Sequence, residues 1–78
     1  MKTRKDLIDR LARVANRINI SDARDINKVV DMLRCQSWPG ALEAARSMDT
    51  MVREEIPSWG WVMMRNAVKA EELLTRYG

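Results

Sequence analysis

Residues 56–78 read "IPSWGWVMMRNAVKAEELLTRYG", and the way this stretch is divided into faces decides the fold. It holds two of the three tryptophans, Trp59 and Trp61, on either side of Gly60. Two residues at i and i+2 cannot share a helix face. A helix over roughly 58–76 must therefore send the two rings in different directions. At about 100° per residue, Trp59, Val62, Met63, Ala67, Ala70, Leu73, Leu74 and Tyr77 form one broad apolar face, read as the core stripe. Trp61, Met64 and Val68 form a second apolar strip facing away from it. Arg65, Lys69, Glu72 and Arg76 make a polar side. Apolar residues on two sides mean a helix covered on two sides, by its own bundle or by something else.

Working outward, Pro57 separates this helix from the one before it, because the residue preceding a proline is pushed out of helical geometry. Upstream, "PGALEAARSMDTMVREEI" gives a third helix over about 39–56. Its stripe is Ala41, Leu42, Ala45, Met48, Val52 and Ile56. The segment "QSWPG" ends a second helix over about 21–36, with Ser21 as its N-cap and Ala23, Ile26, Val29, Val30 and Leu33 as its stripe. The first helix spans about 3–18, with Leu7, Ile8, Leu11, Val14, Ala15 and Ile18 inward. Thr3 and Asp6 stand at capping-box spacing. No sustained alternation suggests a strand. The expectation is all-α: a compact four-helix domain with short connections, built as two helical hairpins, in one domain over 1–78.

Composition narrows the function. At 78 residues, 46% hydrophobic and 32% charged, the chain is a small globular domain with a thin margin of stability. It has no histidine and one cysteine, Cys35. The usual general base and the usual metal-ligand clusters are missing. Cys35 falls near a helix C-terminus, where the dipole disfavours a thiolate. The adjacent pairs Glu54–Glu55 and Glu71–Glu72 point apart on a helix. No enzyme activity, metal, cofactor or small-molecule substrate is expected. The longest apolar run, "WVMM", is too short to span a bilayer. No membrane association is expected, and the lone thiol fits a reducing, cytoplasmic compartment.

What remains is binding. Trp61, Met64 and Val68, flanked by Arg65, are the candidate surface for a protein partner or for homo-oligomerisation. An arginine beside a tryptophan is typical of interface hot spots, and Arg65 could stack on the Trp61 ring. Asn66 interrupts the apolar face of the same helix. The expected function is that of a small non-catalytic binder, of the adaptor or inhibitor kind or a self-associating module.

The alternative is nucleic-acid binding by the first two helices. Residues 1–36 hold nine Lys/Arg and five Asp/Glu, a balance of +4, against five and six, or −1, in residues 37–78. Arg10, Arg13, Arg17, Arg24 and Lys28 are the residues that would face phosphates. Asp6 and Asp9, four residues before Arg10 and Arg13, would instead make a self-paired face. The segment "VANRINISDARDINKVV", residues 14–30, resembles in part a helix-turn-helix. Ala15, Ile18 and Ile20 match its small and apolar positions, and Asn19 stands at the turn where a positive φ is wanted. It departs from that pattern at Asp25 and Lys28, where apolar residues would be required. The resemblance implies duplex contacts by the second helix.

Overall fold

The computed structural model describes residues 1–78. It is all-α, with five helices: α1 (Arg4–Ala15), α2 (Ile20–Arg34), α3 (Trp38–Arg46), α4 (Thr50–Arg53) and α5 (Ser58–Tyr77). Fourteen buried residues, all apolar, form one core, and no buried side-chain polar atom lacks a partner. No helix is long and apolar enough to cross a membrane.

The start of α1 follows from its first residues. Thr3 is in extended geometry, and its side chain accepts from the Asp6 amide. The Thr3 backbone amide donates back to the Asp6 carboxylate at 2.7 Å. This closes a capping box and satisfies donors the helix cannot satisfy itself. The helix stops at Ala15, three residues before the expected end, and a short turn leads into α2.

That turn differs from the one the helix-turn-helix resemblance implies. Asn19 has φ −68° and ψ 161°, which is extended and not left-handed. It is the N-cap of α2, with its side chain accepting from the Asp22 amide at 2.9 Å. The expected cap, Ser21, instead lies in the first turn. Ile20, read as an inward position, is exposed. α1 and α2 run antiparallel: Arg4, at the start of α1, donates from Nη1 to the Leu33 carbonyl, near the end of α2, at 2.9 Å. Leu7, Leu11 and Val14 pack there against Ile26, Val29, Val30 and Leu33.

α2 ends in a Schellman motif. The Ser37 amide donates to the Met32 carbonyl at 2.8 Å and the Gln36 amide to Leu33 at 3.1 Å. Gln36 supplies the left-handed residue, with φ 58°, a position that glycine usually fills. Pro39 is inside the first turn of α3, where its missing amide costs nothing.

The expected helix 39–56 is two helices. The Ser47 hydroxyl donates to the Glu43 carbonyl at 2.9 Å, a local bond that competes with continued helix. Asp49 then adopts ψ 150° before α4 starts. Met48, Val52 and Ile56 still point inward across the break. The apolar spacing is thus kept while the backbone is interrupted, and the short α4 lets the chain turn into α5.

α5 is the longest element, 20 residues or about 30 Å at 1.5 Å per residue. α3, its main neighbour, has nine residues. A helix of half that length cannot cover it. Residues 72–77, the last turns of α5, are all exposed, and the molecule measures 43 × 25 × 20 Å.

Candidate functional site

Two surfaces of α5 carry the functional interest, and both differ from the sequence expectation. The faces of the helix are inverted. Met64 is fully buried, and Trp61 and Val68 are half-buried against the core. Of the residues expected to bind a partner, only Arg65 is exposed. The second strip is thus turned to the bundle, fully at Met64 and in part at Trp61 and Val68. The expected core stripe is the open one: Val62 and Leu73 are each nearly half exposed, Leu74 is 70% exposed and Tyr77 78%. Trp59 and Met63, at the N-terminal end of this face, do pack partly on the core.

The reason for the inversion is steric. Gly60 is buried, and a Cβ built there would lie 2.7 Å from Leu7 Cδ1. α5 turns its glycine side to the core, where the Leu7 side chain fills the space that a Cβ at residue 60 would take. Met64 and Val68 follow Gly60 at i+4 and i+8, so they continue inward along the same face. Counting apolar residues favours the opposite side, since it holds more of them.

The exposed face has an order of its own. Trp59, Met63, Asn66, Ala70, Leu73 and Tyr77 are spaced alternately by four and three residues, the spacing of a helix that packs along another helix. Ala70, Leu73, Leu74, Tyr77 and Gly78 line a shallow depression along its last turns. Lys69 and Arg76 border one edge. Asn66 is exposed in the middle of the strip. Lys2, with Nζ 5.2 Å from the ring centroid, stands over Trp59, and no cation occupies such a position over Trp61.

The second surface is the largest cleft of the molecule, about 700 Å³, where α3, α4 and the start of α5 meet. Arg46, Arg53 and Arg65 line it with Trp61, Ile56, Ser58, Thr50 and Glu54. Arg46 ends α3 and Arg53 ends α4, so each lies where a helix dipole favours a cation. Arg53 donates from Nη1 to the Arg46 carbonyl at 3.2 Å. Of these residues the sequence reading named Arg65 and Trp61 and missed Arg46 and Arg53. The −1 balance of residues 37–78 conceals them, because of the six acids in that stretch only Glu54 lines the cleft.

The basic residues of the first two helices do not form a single patch. Arg10, Arg13 and Arg17 share a groove of about 520 Å³ with Asn16. Lys28 lies in a different groove, beside the carboxylates of Asp25 and Glu43, and Arg24 borders neither. The expected Asp–Arg pairs on α1 are not formed. The Asp6 carboxylate is used by Thr3, whose amide and hydroxyl hold its carboxyl below the usual carboxylate range, with a smaller effect from nearby Lys2. Arg13 Nε donates to the Asp9 backbone carbonyl at 3.3 Å rather than to its carboxylate. The one ion pair in the molecule is Arg34–Asp31, at 4.0 Å on the surface of α2.

No protein-family model, curated protein sequence or solved structure matches the chain.

Proposed function

We propose that this is a non-catalytic protein that binds another protein by seating the exposed apolar face of the last turns of α5 in a groove of its partner. The observation that carries the reading is the exposure of Leu73, Leu74 and Tyr77 along one face of the last turns of α5. A folded domain gains nothing by holding such residues in water, and a contiguous apolar face is the usual mark of an interaction surface. Two to three exposed turns are short for a stable helix pair, which needs about 1,000 Å² or more of buried surface. A groove with two walls covers more of a single helix, as in helix-in-groove recognition. The polar border of Lys69, Glu72 and Arg76 fits a polar rim on the partner's groove.

The test is a photo-crosslinking amino acid placed at residue 74, with residue 24 on the outside of α2 as control, in cells that produce the protein. The expected result is an adduct with one distinct protein from residue 74 only, lost when Tyr77 is changed to Glu. Light scattering of the isolated protein is expected to give the monomer mass. Adducts with copies of itself, or equal labelling from both sites, would refute the reading.

A second reading, nucleic-acid binding through α1, is favoured by the common groove of Arg10, Arg13 and Arg17, none of which has an ion-pair partner. Duplex DNA is then retarded at low salt, and an Arg10→Glu/Arg13→Glu variant does not retard it. Failure of the unaltered protein to shift duplex DNA at low salt removes this reading.

A further inference from the structure

We propose that the cleft between α3, α4 and the first turns of α5 binds single-stranded nucleic acid, with its phosphates on Arg46, Arg53 and Arg65 and a base stacked on Trp61. This site is separate from the exposed end of α5 and from the α1 groove, and it goes beyond both readings above.

The charge comes from three helices. Arg46 closes α3, Arg53 closes α4 and Arg65 lies in α5, and the fold brings them to one cleft. None has a carboxylate within ion-pair distance. Glu54 is the one acid among the lining residues, leaving two positive charges in excess. Guanidinium groups bind phosphate through paired N–H donors, so unneutralised arginines converging on one cavity suit a phosphodiester. The bond from Arg53 to the Arg46 carbonyl limits the freedom of one of them before any ligand arrives. The α5 N-terminus adds to the field: its N-cap is Pro57, no side chain caps it, and Ser58 borders the cleft.

The lining also selects the class of ligand. Ile56 and Trp61 are its only apolar members, whereas a small-molecule site is mostly apolar and encloses its ligand. An open basic cleft with an aromatic side chain is the composition of surfaces that track a single strand, where phosphates give affinity and ring stacking accepts any base. A duplex keeps its bases stacked on one another and could use the arginines but not Trp61.

The probe is a fluorescein-labelled oligothymidylate of roughly 12 nucleotides, within the usual site sizes, titrated by polarisation at several salt concentrations. Binding with quenching of tryptophan emission is expected. At about 0.7 per phosphate contact, three contacts give a log–log salt slope near −2. Arg46→Glu/Arg65→Glu, at two exposed positions, is expected to weaken binding at least tenfold and to bring the slope about 1.4 closer to zero. Trp61→Phe keeps a ring for stacking and is expected to retain binding while losing most of the quenching. Arg10→Glu/Arg13→Glu is expected to change affinity less than twofold. Circular dichroism of each variant confirms that it is folded. Absence of binding at low salt, binding unchanged by Arg46→Glu/Arg65→Glu, or equally tight binding of duplex DNA would overturn the proposal. Equal competition by polyglutamate would assign the cleft to acidic polymers in general and overturn it as well.

Discussion

Replacing Gly60 with alanine tests the contact that orients α5. A Cβ at this position lies 2.7 Å from Leu7 Cδ1 and 3.4 Å from Ile56 Cγ2. Leu7 is fully buried and Ile56 nearly so, so neither can move its methyl groups into solvent. The substitution has one favourable term: alanine is better than glycine in a helix interior by up to about 1 kcal/mol. Gly60 is the third residue of α5, in the first turn, so less than that is gained. Against it stands the insertion of a methyl into a closed core, about 1–3 kcal/mol. The steric term prevails, and the expected result is a net loss of about 1–2 kcal/mol. For a domain of this size that lowers Tm by roughly 5–15 °C. Urea denaturation followed by circular dichroism is the assay, with the midpoint falling and the slope unchanged. Leu7→Val removes the atoms that clash, at a cost of about 1 kcal/mol by itself. In that background Gly60→Ala is expected to be neutral or mildly stabilising, a coupling of at least about 1 kcal/mol between the two sites. An alanine variant as stable as the parent, or equal losses in both backgrounds, would show that α5 does not meet α1 at Gly60.

The remaining predictions concern the helix ends. Gln36→Gly is expected to stabilise the protein by about 0.5–1 kcal/mol, because the left-handed conformation of Gln36 strains a side chain and not a glycine; the urea midpoint reports it, and a loss of stability would contradict the assigned motif. Arg4→Ala is expected to cost about 1 kcal/mol, below the range for a fully buried charged hydrogen bond since Arg4 is only partly buried; the same assay applies, and amide exchange is expected to quicken in the last turn of α2. The Asp6 carboxyl is held below the usual range by its bonds to Thr3. Its contribution is therefore present above the unfolded-state pKa and is lost as pH falls through the lower folded-state value. NMR titration of the Asp6 carboxyl carbon is expected to show this low midpoint, and Thr3→Ala is expected to raise it.

The sequence revealed the helices better than their surroundings. The stripes of α1 and α2 are correct at their centres because each helix has one apolar side, and Leu7, Leu11, Val14, Ile26, Val29, Val30 and Leu33 all reach the core. The break between α3 and α4 was hidden because Met48, Val52 and Ile56 keep helical spacing through it; the Ser47 bond that interrupts the backbone is local chemistry that periodicity does not register. Periodicity separates the two faces of α5, but the face it favours as core packs only at Trp59 and Met63 and is exposed at Val62, Leu73, Leu74 and Tyr77. Counting apolar residues ranks faces by how much they could bury, whereas the face that packs is the one on which buried Gly60 leaves room for the Leu7 side chain. The arginine cleft was illegible for another reason. Arg46, Arg53 and Arg65 are spread over twenty residues among acidic neighbours, and only the turns around α4 bring them together.

The central claim is that α5 turns Met64 inward and Leu74 outward. It is tested most directly by thermal unfolding of Met64→Glu beside Leu74→Glu. Met64 is fully buried among apolar side chains, so a carboxylate there has no partner and is expected to abolish the cooperative transition. Leu74 is exposed, and its replacement is expected to leave stability within about 0.5 kcal/mol of the parent. A stable Met64→Glu protein together with an unfolded Leu74→Glu protein would contradict the account and return the core to the opposite face of the helix.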